Sequence, residues 1–127
     1  MLHLSFIKKQ MKKKILTFCF IIALCSCEVV FVEDISKEQI VLVAPTNNSE
    51  LTSGTIRFDW EGITEATHYR IQIATPDFED TVQIVLDSTI TTINISKELT
   101  TGDFQWRVKA INSDYETAYT TNSFSVN

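Results

Sequence analysis

Beyond residue 27 the side chains able to do chemistry are few and poorly accompanied. His68 is the one histidine there. A metal site needs several imidazole, thiolate or carboxylate groups converging, and none stands at a supporting spacing, so His68 reads as a surface residue. Asp77, Glu79 and Asp80 bracket Phe78. Ca²⁺ takes about six to eight oxygens, but this loop lacks the Gly and the regular alternation of a calcium loop, and a solvated turn is expected. Carboxylate pairs for glycoside hydrolysis need a cleft between them, which a body of some hundred residues rarely encloses. No serine has a recognisable base beside it, and neither Gly-x-Ser-x-Gly nor a glycine-rich phosphate loop occurs. No catalytic residue, metal or cofactor is therefore expected. Recognition falls to aromatic side chains, namely Phe78 in one connection and Tyr115 and Tyr119 near the last one. Such rings suit sugar or protein partners, although Tyr119 also reads as the packed start of a final strand.

The chain that must position these groups is 127 residues long, 44% apolar and 21% charged. That length gives one domain, and the composition excludes general disorder. Charge is segregated. Five of the eleven basic residues precede residue 15 and no acid occurs before Glu28, so residues 28–127 hold six basic against sixteen acidic side chains, a net charge of −10. A nucleic-acid binder needs a basic face to displace counterions. This body has the opposite sign and repels anionic lipid as well.

The amino terminus reads as an export signal. Lys8, Lys9 and Lys12 to Lys14 precede the apolar run Ile15 to Leu24, the order expected of a secretory leader. Ten helical residues span about 15 Å, half of a hydrocarbon layer of about 30 Å. The junction Leu24-Cys25-Ser26-Cys27 resembles the lipobox of bacterial lipoproteins. That resemblance implies cleavage before Cys27, acylation of its thiol by diacylglycerol-type chains such as palmitate, and frequent acylation of the new amine. Met11-Lys-Lys-Lys resembles a natural start of such a signal. With two cysteines removed and the third lipidated, no disulfide is left. Glu28 in place of Asp after the lipidated residue hints at the outer membrane, with the leaflet open. Residues 1–26 are thus expected as signal peptide, 27–38 as lipidated Cys and tether, and 39–127 as the folded body. Val29 to Val32 is apolar for a linker, and is expected to pack as an extended segment or to serve as a partner-binding strand.

From Gln39 onward apolar residues recur with period two, broken every eight to twelve residues, the pattern of an all-β sandwich. The sets are Ile40–Val43, Ile56/Phe58/Trp60, Tyr69/Ile71/Ile73, Val82/Ile84/Leu86, Ile93/Ile95, Phe104/Trp106/Val108/Ala110 and Phe124/Val126. Each is expected to send its apolar members into one core. Residues 39–127 resemble a fibronectin type III domain. Trp60 matches the core Trp of its second strand, Tyr69-Arg-Ile-Gln-Ile73 its third strand, and Leu99 through Phe104, Trp106, Val108 and Ala110 its E–F corner. The resemblance implies an immunoglobulin-like sandwich of seven strands. Phe104 stands where the family usually has the tyrosine of its corner, which keeps packing but forfeits about 1 kcal/mol of hydrogen bonding.

Ala44-Pro-Thr-Asn-Asn48, Phe58-Asp-Trp60 and the Tyr69 strand also resemble short lipoproteins of the Bacteroidetes group, whose similar modules occur in polysaccharide-capture lipoproteins. Asp80-Thr81-Val82 and Asp87-Ser88-Thr89 each resemble the O-glycosylation acceptor motif of exported proteins there. Ser88 is the better expectation of the two because it looks loop-like. The expected function is a membrane-anchored, non-enzymatic binding or scaffold module engaging another envelope protein. The alternative is a glycan-binding accessory lipoprotein. A strip of exposed aromatics would favour glycan, and an unpaired edge strand or flat apolar patch would favour protein.

Overall fold

The computed structural model describes residues 31–127. The leader, Met11, Cys27, Val29 and Val30 lie outside the described residues. Eight strands form: β1 Leu42–Ala44, β2 Ser49–Leu51, β3 Gly54–Trp60, β4 His68–Thr75, β5 Gln83–Ile90, β6 Asn94–Leu99, β7 Gly102–Ile111 and β8 Thr120–Val126. No helix occurs among the described residues. The strands make two sheets, β1-β3-β6 and β2-β8-β7-β4-β5. All pairings are antiparallel except that of β2 with β8, which is parallel.

The strand count exceeds the expected seven because the first strand is broken. Pro45 and Asn48, the latter at φ 62°, turn the chain between β1, which pairs with β3 in one sheet, and β2, which pairs with β8 in the other. Asn tolerates this left-handed conformation better than most residues. Gly54 opens β3 at φ 139°, a backbone conformation that favours glycine, although open space surrounds it.

Alternation explains the core. Phe58, Trp60, Tyr69, Ile71, Ile73, Phe104, Trp106, Val108, Ala110, Phe124 and Val126 are all buried, each from the apolar side of its strand. Phe58 meets Trp106 edge-on at 5.1 Å between centroids and Phe124 at 5.7 Å. Phe104 stacks on Phe124 at 5.4 Å, so the Phe at the corner position keeps its packing. The indole Nε1 of Trp106 donates to the Pro45 carbonyl at 3.2 Å. That bond ties the break in the first strand to the centre of the core.

Three sequence expectations need correction. Ile93, read as the inward partner of Ile95, is 44% exposed because it lies in the β5–β6 connection, before β6 begins at Asn94. The segment read as tether enters the fold: Ile35 is 1% exposed within the core cluster, and the Glu33 carbonyl accepts from Asn112 Nδ2 at 2.8 Å. The inward set Val82/Ile84/Leu86 also fails at its first two members. Val82 is 84% and Ile84 45% exposed, while Val85 and Leu86 pack on the core. A register shift between Ile73 and Ala74 leaves Val85 without an opposite residue on β4. One extra residue in a strand inverts its facing from there on.

Candidate binding face of the five-stranded sheet

The expected site residues are dispersed on the five-stranded sheet and its connections. Register aligns the residues on the face of this sheet turned away from the core in rows, in which Ala74 and Gln72 are nevertheless covered. One row holds Ile84, Ala74, Gln105 and Ser123, and the next Asp87, Gln72, Arg107 and Thr121. Beyond them lie Thr89, Arg70 and Lys109. Three of the body's six basic side chains thus occupy neighbouring positions on one face of an acidic domain.

Two of these cations are matched by carboxylates. Arg70 binds Asp87 through two bonds, Nε to Oδ1 at 3.0 Å and Nη2 to Oδ2 at 2.9 Å. Lys109 Nζ lies 3.1 Å from Glu116, its side chain only 13% exposed. Arg107 is different. Its Nε and Nη2 both donate to the Gln72 Oε1, at 2.9 and 2.7 Å. Its Cζ lies 3.9 Å from the centre of the Phe78 ring and 4.3 Å from that of Tyr119, which also receives Lys109 Nζ at 4.9 Å. Cations and rings therefore alternate in the order Lys109, Tyr119, Arg107, Phe78. Among the described residues Arg107 has no carboxylate within ion-pair distance.

Loop chemistry holds the rings. Phe78 N–H donates to Gln105 Oε1 at 3.0 Å, and Gln105 Nε2 donates to Ser123 at 3.1 Å. The Asp77 carboxylate accepts the Asp80 N–H at 2.6 Å, and its carbonyl accepts the Thr81 hydroxyl at 2.7 Å. The acidic loop is a self-bonded turn that presents Phe78 to Arg107. Tyr119, half-buried, precedes β8 and packs on the same cations. Tyr115 stands apart, 38% exposed in the β7–β8 connection, where the Asn112 side chain accepts its N–H at 2.8 Å. His68 is exposed, with Nδ1 2.9 Å from the Thr67 hydroxyl.

The two candidate acceptor hydroxyls change places in accessibility. Ser88 is not in a loop. It lies within β5, half-buried and opposite the fully buried Ile71. Thr81 is the exposed one.

The Arg70–Asp87 pair sets an acid limb. The Arg70 hydrogen bonds hold the Asp87 carboxyl below its ordinary 3.8, outweighing desolvation, with Gln72 and the charges of Arg70 and Arg107 adding. The same bonds raise Arg70. A carboxyl whose folded pKa lies below its unfolded value contributes stability that is complete above the unfolded value and lost as pH falls through the folded one. Melting temperature measured against pH should therefore fall below about pH 4, in line with that linkage. Asp87→Asn should flatten the fall and leave the difference between the two proteins constant from about pH 6 to 8. Both groups are well exposed, so the effect is modest.

Among the described residues the β5 strand also forms an unpaired edge of this sheet. Natural edges are protected by shortness, charge, Pro or bulges. Among the edges here, β1 and β2 are three residues long, and β6 carries Lys97 and Glu98. β5 is eight residues long with Asp87 as its one charge, and Val82 and Ile84 lie exposed at its start. Its bulge at Val85 is the sole device that interrupts it.

No protein-family model and no curated protein matches the sequence. Solved structures match in architecture. A Clostridium thermocellum CbhA fibronectin(III)-like module superposes with a TM-score of 0.52 at 10% identity, covering 70% of this chain and 96% of that one. The fn3 domain of human collagen alpha-1(XX) chain also gives 0.52, at 12% identity, covering 72% and 88%. FN3tt gives 0.50 at 13% identity, covering 69% and 95%. The fold is fibronectin type III-like. At these identities the likeness concerns fold alone. In a fibronectin type III-like sandwich the break at Pro45–Asn48 divides one strand between the sheets, which reconciles eight strands with the seven expected. The cation–ring ladder was not legible in sequence, where Arg107 and Lys109 were merely the polar members of an alternating strand.

Proposed function

We propose that this chain is an envelope lipoprotein anchored through Cys27, whose fibronectin type III-like body is a non-enzymatic module engaging another envelope protein. The observation that carries the reading is the free β5 edge. Unpaired backbone groups along a long strand, with Val82 and Ile84 exposed beside them, fit an extended segment of a partner added as a further strand. Phe78 and Tyr119 are engaged with Arg107, and Tyr115 stands elsewhere, so the three rings do not form an open strip. An enzyme is disfavoured by the absence of a convergent nucleophile and base in the sequence.

The glycan reading keeps one support. A cleft of about 380 Å³ beside the Phe78 loop is lined by Glu50, Asp77, Asp103, Gln105 and Ser123, donors and acceptors of the kind that bind hydroxyls.

Affinity capture from the native envelope, with glycan-array binding alongside, separates the two. Ile84→Lys places a charge on the free edge and, at an exposed position, should change stability by less than about 0.5 kcal/mol. Capture of one defined protein by the wild type and its loss in Ile84→Lys, with superimposable melting curves, is expected. Array binding by both forms, with no protein captured by either, would overturn the reading in favour of glycan.

A further inference from the structure

We infer that Arg107 is the point at which this face accepts a carboxylate of the protein partner, either a chain terminus or an isolated Asp or Glu side chain. The inference rests on the binding-module reading and names the chemistry it uses. A guanidinium has five N–H donors in a fixed planar fork. Gln72 Oε1 accepts from Nε and Nη2 of Arg107, so three donors have no acceptor among the described residues. The neighbouring cations are already satisfied, Arg70 by Asp87 and Lys109 by Glu116. Among the described residues Arg107 is therefore the one cation on the face with no carboxylate within ion-pair distance.

It is also held in place. Gln72, itself 8% exposed, fixes one side of the fork, and the Phe78 and Tyr119 rings lie about it at 3.9 and 4.3 Å. A long side chain fixed before binding loses less freedom when it binds, and the remaining donors present the geometry that a planar carboxylate meets with two parallel bonds. The body's net charge of −10 repels an extended polyanion at long range. A single carboxylate is repelled far less and, within a screening length of about 8–10 Å, meets the local cation. This combination selects an isolated carboxylate on a protein over an acidic polysaccharide.

The test uses the full chain, labelled with ¹⁵N at arginine and titrated with N-acetylglycine, N-acetylglycinamide and tri-galacturonate. The Arg107 Nε–H resonance should move saturably with N-acetylglycine and stay still with the amide. Those of Arg57 and Arg70, held by Asp59 and Asp87, should move little. Arg107→Lys keeps the charge but not the fork and, in uniformly ¹⁵N-labelled protein followed at the Gln72 side-chain amide, should weaken N-acetylglycine binding about tenfold, with a cooperative melting transition retained. An unresponsive Arg107, an equal response to the amide, or a stronger one to tri-galacturonate would overturn the inference. Protein capture through the β5 edge, measured separately, would then still stand or fall by itself.

Discussion

Trp106→Ala is expected to leave the protein without a cooperative melting transition. Trp106 is fully buried and lies between Phe58 at 5.1 Å and Trp60 at 6.4 Å. Truncating a buried Trp to Ala costs about 3–5 kcal/mol through lost transfer energy and the cavity left behind. Here the Pro45 carbonyl also loses one of its two donors, with Asn122 Nδ2 remaining at 3.3 Å, a further penalty of about 1 kcal/mol or less. A domain of this size has about 5–15 kcal/mol in all, so the substitution removes about a third of it or more, and all of it toward the lower end of that range. Trp60→Ala should cost less. Its ring is as well buried, but its Nε1 has no hydrogen-bond partner among the described residues, and removing an unsatisfied donor offsets part of the loss. Thermal melts followed by near-ultraviolet circular dichroism check both. Equal and small effects would contradict the placement of Trp106 at the centre.

Cys27→Ser, exported behind a leader whose removal does not need the thiol, is expected to move the protein from the membrane fraction to the soluble fraction with an unchanged body. Each buried methylene of a lipid chain contributes about 0.8 kcal/mol to anchoring, and two or more chains together hold firmly where one does not. The rest of the body offers no substitute, since its net negative charge repels anionic lipid. Fractionation of cells carrying either form, with mass spectrometry of the amino-terminal peptide, measures the change. A Cys27→Ser protein still fully in the membrane fraction would show that something other than the thiol holds it there.

The sandwich was legible in sequence for a simple reason: period-two alternation reports directly which side of a strand leaves water, and Tyr69, Ile71 and Ile73 or Phe104, Trp106 and Val108 alternate without a break. It misled where one residue was added. In β5 the extra Val85 inverts the facing of Ile84 and Val82, and no local signal distinguishes a bulge from continued alternation in a run of apolar residues. The β2 strand was missed because Ser49-Glu-Leu51 is too short to show a period and is held by pairing with β8, at the far end of the chain. Ile35 was hidden by its polar neighbours Asp34, Ser36 and Lys37, which suit a tether as well as they suit the turn they make. The candidate site was less legible still. Arg107, Gln72, Phe78 and Tyr119 come from β7, β4 and two connections, and they meet only after both strands pair.

The most direct test of the binding-module account is site-specific photo-crosslinking in the native envelope, with the reactive group placed at residue 84. The account predicts one discrete protein adduct, absent when the group is placed at Lys97 on the opposite sheet. Adducts to polysaccharide at residue 84, or the same protein adduct from both positions, would contradict it.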